Sequence, residues 1–117
     1  MTKQMQSWQS HSVKINRTEQ IEFQGAVLVD VVALNHDDTV RRRFRLYRTD
    51  DEFVAERIDN PDTIDDRYWG GYCADESAIY DFFGNEPLAN YLYGAAGICV
   101  PGLVTLLATT KIKQAPE

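Results

Sequence analysis

A chain of 117 residues, 44% hydrophobic and 26% charged, is long enough for one domain with an ordinary core and too apolar to be disordered. Its net charge of −6 opposes sequence-independent attachment to a nucleic-acid backbone, which needs a basic surface, and suits a basic partner instead. Cys73 and Cys99, far apart and not near a histidine, form no metal-ligand pattern; two free thiols in a reducing compartment are expected, and a single disulfide cannot be deduced from spacing.

Residues 1–10 are rich in Gln and Ser and read as flexible, with Trp8 the one residue able to anchor them. No apolar central segment follows the first residues, so a secretory signal is not expected and the cytoplasm is the default location. Ser12 to Asn16 alternates enough for a short strand, Arg17-Thr18-Glu19 forms a turn, and Gln20 to Gln24 resumes with Ile21 and Phe23 on one face. Gly25 either interrupts the next strand or marks a bulge within it.

Residues 25–58 are the centre of the predicted fold. Gly25 to Leu34 is dominated by β-branched and aliphatic residues and stops at the turn formers Asn35-His36-Asp37-Asp38. Val40 to Arg48 places Val40, Phe44 and Leu46 on one side and Arg41, Arg43, Arg45 and Tyr47 on the other. Thr49-Asp50-Asp51-Glu52 then reverses the chain into Phe53 to Ile58. A four-residue loop at residues 36–39 and a two-residue loop at Asp50-Asp51 set Arg45 opposite both Asp30 and Glu56. The same alignment sets Val29 beside Leu46 and Ala55, and Val31 beside Phe44. One register thus satisfies charge and apolar contact together, and a slip of one residue loses both. The face carrying Leu28, Val32, Tyr47, Val54 and Ile58 among these charges is expected to be only partly covered.

Asp59-Asn60-Pro61-Asp62 breaks the pattern, and the acidic stretch through Asp66 is predicted irregular. Arg67 to Tyr72 follows as an aromatic loop around Gly70-Gly71. Asp75 offers a helix N-cap, with Ala78, Ile79, Phe82 and Phe83 as an apolar stripe and Gly84 as the stop. A second helix starts near Asn85, with Glu86 and Pro87 in its first turn and Leu88, Tyr91, Leu92 and Ala95 at helical spacing. Pro87 to Thr110 has no charged residue in 24 positions, a length that could span a membrane. The Pro101-Gly102 break splits it, which favours a helix followed by a core strand over Leu103 to Ile112, with residues 113–117 a solvated tail. The expected architecture is one α+β domain, residues 1–117, with an antiparallel β-meander of four to five strands and an αα-hairpin packed on one face.

Candidate chemistry is sparse. The arginines Arg41, Arg42, Arg43, Arg45 and Arg48 could form an anion- or nucleic-acid-binding ribbon, but alternate arginines on a strand more simply pair with Asp30, Glu56 and the run Asp50-Asp51-Glu52. His11 lies in the flexible part, and His36 sits beside Asp37 and Asp38 on a tight turn whose neighbouring side chains diverge. No serine has a nucleophile-elbow setting, and no glycine pattern cradles phosphate, so neither catalytic residue nor cofactor is predicted. Asp62, Asp65 and Asp66 lack the spacing of a calcium loop. They do adjoin Tyr68, Trp69 and Tyr72, residue types enriched as interface anchors. The reading that follows is a protein-binding module, regulatory or inhibitory, that meets an unidentified protein partner through these six residues. Nucleic-acid binding through Arg41, Arg43 and Arg45, a small enzyme with a site between helices and sheet, and a homodimer through the open sheet face are the alternatives.

Overall fold

The computed structural model describes residues 8–98 and 111–115. The chain is α+β. Its elements run β1 (Gln9–Lys14), β2 (Gln20–Leu34), β3 (Val40–Arg48), β4 (Phe53–Asp59), β5 (Arg67–Cys73), α1 (Glu76–Phe83), α2 (Pro87–Ala96) and β6 (Lys111–Gln114). The strands pair antiparallel in the order β1-β2-β3-β4-β5, and β6 adds to β2.

The central register follows charge and apolar contact as the residues require. Asp30 is opposite Arg45, Arg45 opposite Glu56, Val29 and Ala55 opposite Leu46, and Val31 opposite Phe44. Thr49 donates its amide to the Glu52 carbonyl at 2.9 Å, closing the two-residue loop. The first loop, residues 35–39, is one residue longer than expected. Val40 pairs with Leu34 and Arg42 with Ala33, so Arg41 bulges out of the ladder.

β2 runs unbroken through Gly25, pairing with β1 before it and with β3 after it. A side chain there would meet the Arg48 carbonyl oxygen at 2.5 Å, which explains the glycine. A second irregularity falls between Val27 and Val29, and Val27 and Leu28 are exposed beside it.

One face of the sheet carries Val29, Val31, Ala33, Phe44, Leu46 and Ala55 into the main core. Ile79 and Phe83 of α1, and Leu88, Ala89, Leu92 and Tyr93 of α2, close over them. Asp75 caps α1 by accepting from the Ala78 amide at 2.9 Å, and Gly84 ends it. α2 begins two residues later than expected: Pro87 occupies its first position and Glu86 the cap position, without a capping hydrogen bond, because the carboxylate is drawn to Arg42.

Two further expectations change. The aromatic stretch Arg67–Cys73 is a strand, not a loop, and Gly70 is needed by a crossing rather than by a turn. A side chain at Gly70 would lie 2.6 Å from Val13 Cγ1 and 2.8 Å from the Lys14 carbonyl, so β1 lies directly against β5. The first strand therefore begins at Gln9 rather than Ser12, and His11 is part of it, its ring 4.9 Å from Tyr47 and 5.6 Å from Phe23. The face opposite the helices is sealed at this end, where Val13, Tyr47 and Val54 form a second small core with Ile21 and Phe23 around it.

Lys113 and Gln114 are exposed yet paired, and the Ala115 amide donates to the Asp30 carbonyl at 2.7 Å. Cys73 is a buried free thiol. Cys99 and most of the expected strand over Leu103 to Ile112 lie outside the described residues; of that segment, Lys111 and Ile112 belong to β6. Among the described residues no helix is long and apolar enough to cross a membrane.

Candidate functional site

Strand alternation divides the arginines between the two faces of the sheet. Arg42, on the helix side, donates from Nε to Asp59 Oδ1 at 2.8 Å and from Nη1 to both Glu86 oxygens at 2.9 Å. Arg43, on the other side, grips Asp30 with two parallel hydrogen bonds, Nε to Oδ1 at 2.8 Å and Nη2 to Oδ2. Arg45 sits between Asp30 and Glu56, its Nε 3.4 Å from an oxygen of each, and its Nη1 donates to the Tyr47 hydroxyl at 2.9 Å. That hydroxyl in turn donates to Glu56 Oε1 at 3.1 Å.

The electrostatics follow from this pairing. The hydrogen bond to Asp30 raises the pKa of Arg43 against the opposing effect of burial. Burial raises Glu56 above the ordinary carboxylate range, and the Arg45 charge offsets only part of it. Burial acts on Asp59 in the same sense, but hydrogen bonds from Arg57 and Arg42 outweigh it and hold that carboxyl low. The acids that neutralise the row are Asp30, Glu56, Asp59 and Glu86, not the turn residues Asp50, Asp51 and Glu52. Arg41 and Arg48 make no ion pair among the described residues; the Arg48 guanidinium lies over Phe53 at 5.8 Å.

The acidic segment is built differently. Asn60 and Asp62 take left-handed backbone angles, φ 50 and 65, that Asn and Asp tolerate. The Thr63 hydroxyl donates to the Asn60 carbonyl at 2.8 Å and accepts from the Asp65 amide at 3.1 Å. From the turn between β1 and β2, where Asn16 Oδ1 accepts the Thr18 and Glu19 amides at 2.9 Å, Arg17 reaches across to pin the loop. Its Nη2 donates to the carbonyls of Ile64 and Asp66, each at 3.0 Å, and to Asp66 Oδ1 at 2.7 Å. The Tyr68 hydroxyl takes the other oxygen of Asp66 at 2.7 Å. Ile64, held at the tip of this loop, is 89% exposed.

No protein-family model, curated protein or solved structure matches the chain. Asp65, Asp66, Tyr68 and Trp69 line one groove of about 400 Å³ together with Arg17 and Ile64. Asp62 and Tyr72 are not among its lining residues. Alternation along β5 puts Tyr68 and Tyr72 on the face of Glu56 and Val54, and Trp69 on the helix side, its ring covered at 4.1 Å by the Arg57 guanidinium. The three aromatics thus flank an edge rather than share a surface.

Asp66 is satisfied by Arg17 and Tyr68, whereas Asp62 and Asp65 are exposed and make no ion pair among the described residues. Arg17 and Ile64 are the residues that sequence reasoning missed. An isolated isoleucine within Asp62-Thr63-Ile64-Asp65-Asp66 was the available signal, because an aliphatic residue in an acidic loop has no local reason to be there. Among the described residues no group of three or more His, Cys, Asp or Glu side chains could hold a metal ion.

Proposed function

We propose that the chain is a protein-binding module of the cytoplasm, regulatory or inhibitory, whose scaffold is the β-meander roofed on one face by the αα-hairpin. It meets its partner through the acidic loop, by Asp62, Asp65 and Asp66, and through the strand behind it, by Tyr68, Trp69 and Tyr72. The observation that carries the reading is Ile64. An aliphatic side chain 89% exposed on a loop pinned by four hydrogen bonds from Arg17 is held out to water by design of the loop, not by its slackness. Burying it against a partner releases that apolar area from water, roughly 1.5–3 kcal/mol for a whole isoleucine side chain. Asp62 and Asp65 beside it steer a basic surface toward the loop.

Nucleic-acid contact through Arg43 and Arg45 would require breaking their pairs with Asp30 and Glu56, and leaving a part-buried and a buried carboxylate unneutralised. The test is to identify the protein that co-purifies with the native chain, then measure its affinity for purified Ile64→Asp and Trp69→Ala variants. At least tenfold weaker binding with unchanged unfolding is the expected result. Wild-type affinity in both variants would remove this surface from consideration.

A further inference from the structure

β5 is the last strand of the sheet path, and among the described residues no backbone hydrogen bond leaves its outer edge. Seven residues long and without proline, it carries exposed Trp69 and Tyr72 on alternate faces, and its one charged side chain, Arg67, stands at its first position. Acids stand at both ends. Asp62 and Asp65 precede it, and exposed Asp75 follows two residues after its last position, Cys73. The nearby cations are already engaged: Arg17 by Asp66, Arg57 by Asp59, and Lys14 over the Tyr68 ring at 4.5 Å, leaving Arg67 as the one exposed cation on the strand.

We propose that the outer edge of β5 takes an extended, basic segment of the partner protein as an added strand, its backbone pairing with residues 67–73 and its cationic side chains meeting the acids at both ends. Strand addition draws affinity from main-chain hydrogen bonds and selectivity from alternate side chains. An edge with an aromatic on each face and carboxylates at each end selects alternating apolar and cationic residues over acidic ones. This rests on the protein-binding reading above and adds the conformation and charge of what is bound.

The probe is a synthetic octapeptide of alternating Lys and Val, compared with its Glu-Val counterpart and with a version N-methylated at alternate residues. Amide exchange is followed by NMR. The Lys-Val peptide slows exchange across residues 67–73, weakens roughly tenfold on Tyr72→Lys and tightens on Tyr72→Glu, both at an exposed position that leaves the fold intact; the other two peptides do not bind. No binding, equal binding of the N-methylated peptide, or protection elsewhere overturns the proposal. So does protection that rises with protein concentration alone, which would make a second copy the occupant. With the native partner bound, unprotected β5 amides alongside weakened binding by Ile64→Asp would sink the added strand and keep the loop surface; wild-type affinity in both Ile64→Asp and Trp69→Ala would sink the surface on which this proposal rests.

Discussion

The two faces of the sheet are buried by different means. On the helix side, aliphatic and aromatic residues from three strands meet two amphipathic helices, and the contacts are many and interchangeable. On the other side, a first strand folded back against the last buries Val13, Tyr47 and Val54, and beyond them Val32 lies among a row of arginines and carboxylates. Stability on the first face is spread over a volume. On the second it hangs on a few positions where one atom more or one hydrogen bond fewer is felt.

Truncation on the helix side sets the scale. Phe44→Ala and Leu92→Ala, both at fully buried positions, should each cost about 2–5 kcal/mol by lost transfer energy and the cavity left behind. Urea unfolding followed at two wavelengths checks this, and the transition should remain cooperative. A cost below about 1 kcal/mol for Leu92→Ala would mean that α2 is not the roof of this face.

Gly70→Val asks the corresponding question of the other face. The new side chain would collide with Val13 Cγ1 and, less forgivingly, with the Lys14 backbone, so overpacking of about 1–3 kcal/mol is expected. Hydrogen exchange should localise the damage to residues 9–14, with the amides of α1 and α2 unaffected. Damage of equal size across both faces would show the two cores to be one cooperative unit.

Legibility in the sequence follows the same division. The helix face was readable because Val29, Val31, Phe44 and Leu46 alternate, and because Asp75, Gly84 and Pro87 punctuate the helices in ways local chemistry dictates. The register was readable because Asp30, Arg45 and Glu56 constrain it from both sides. The second face was not, since nothing in Ser12-Val13-Lys14 states that it will lie on Gly70, some 56 residues away. A Gly-Gly pair among aromatics looks like a turn until something is known to cross it. The groove was half legible for the same reason: Asp65, Asp66, Tyr68 and Trp69 are sequence neighbours, whereas Arg17 reaches it only through the fold.

The two kinds of burial also predict opposite responses to acid. Glu56 has its pKa raised by burial, so the folded state holds its proton more tightly than the unfolded chain. Its contribution is fully present below about 4.5 and is lost as pH rises through the folded value. Asp59 is held low by Arg57 and Arg42, so its contribution is present above about 3.8 and lost as pH falls through the folded value. On acidification, the Glu56 contribution should grow until about 4.5 is passed, after which the Asp59 contribution should fade. Glu56→Gln should abolish the first effect and Asp59→Asn much of the second, read as the pH dependence of the urea midpoint. Loss of the first effect in Asp59→Asn would assign the raised proton affinity to the wrong carboxylate.

The smallest effect on stability belongs to the residue that shapes the groove. Arg17 is 60% exposed along its side chain, and an ion pair as open to water as its contact with Asp66 contributes at most about 1 kcal/mol. Arg17→Ala should therefore move the unfolding midpoint little while freeing the carbonyls of Ile64 and Asp66, so that exchange at residues 60–66 quickens and the pinned loop samples many shapes. Partner affinity should fall more than stability, because the loop would then have to be ordered at the moment of binding, a cost the native hydrogen bonds have already met. If affinity and midpoint fall together in proportion, Arg17 supports the fold like any buried contact, and the exposed isoleucine loses its claim to being presented.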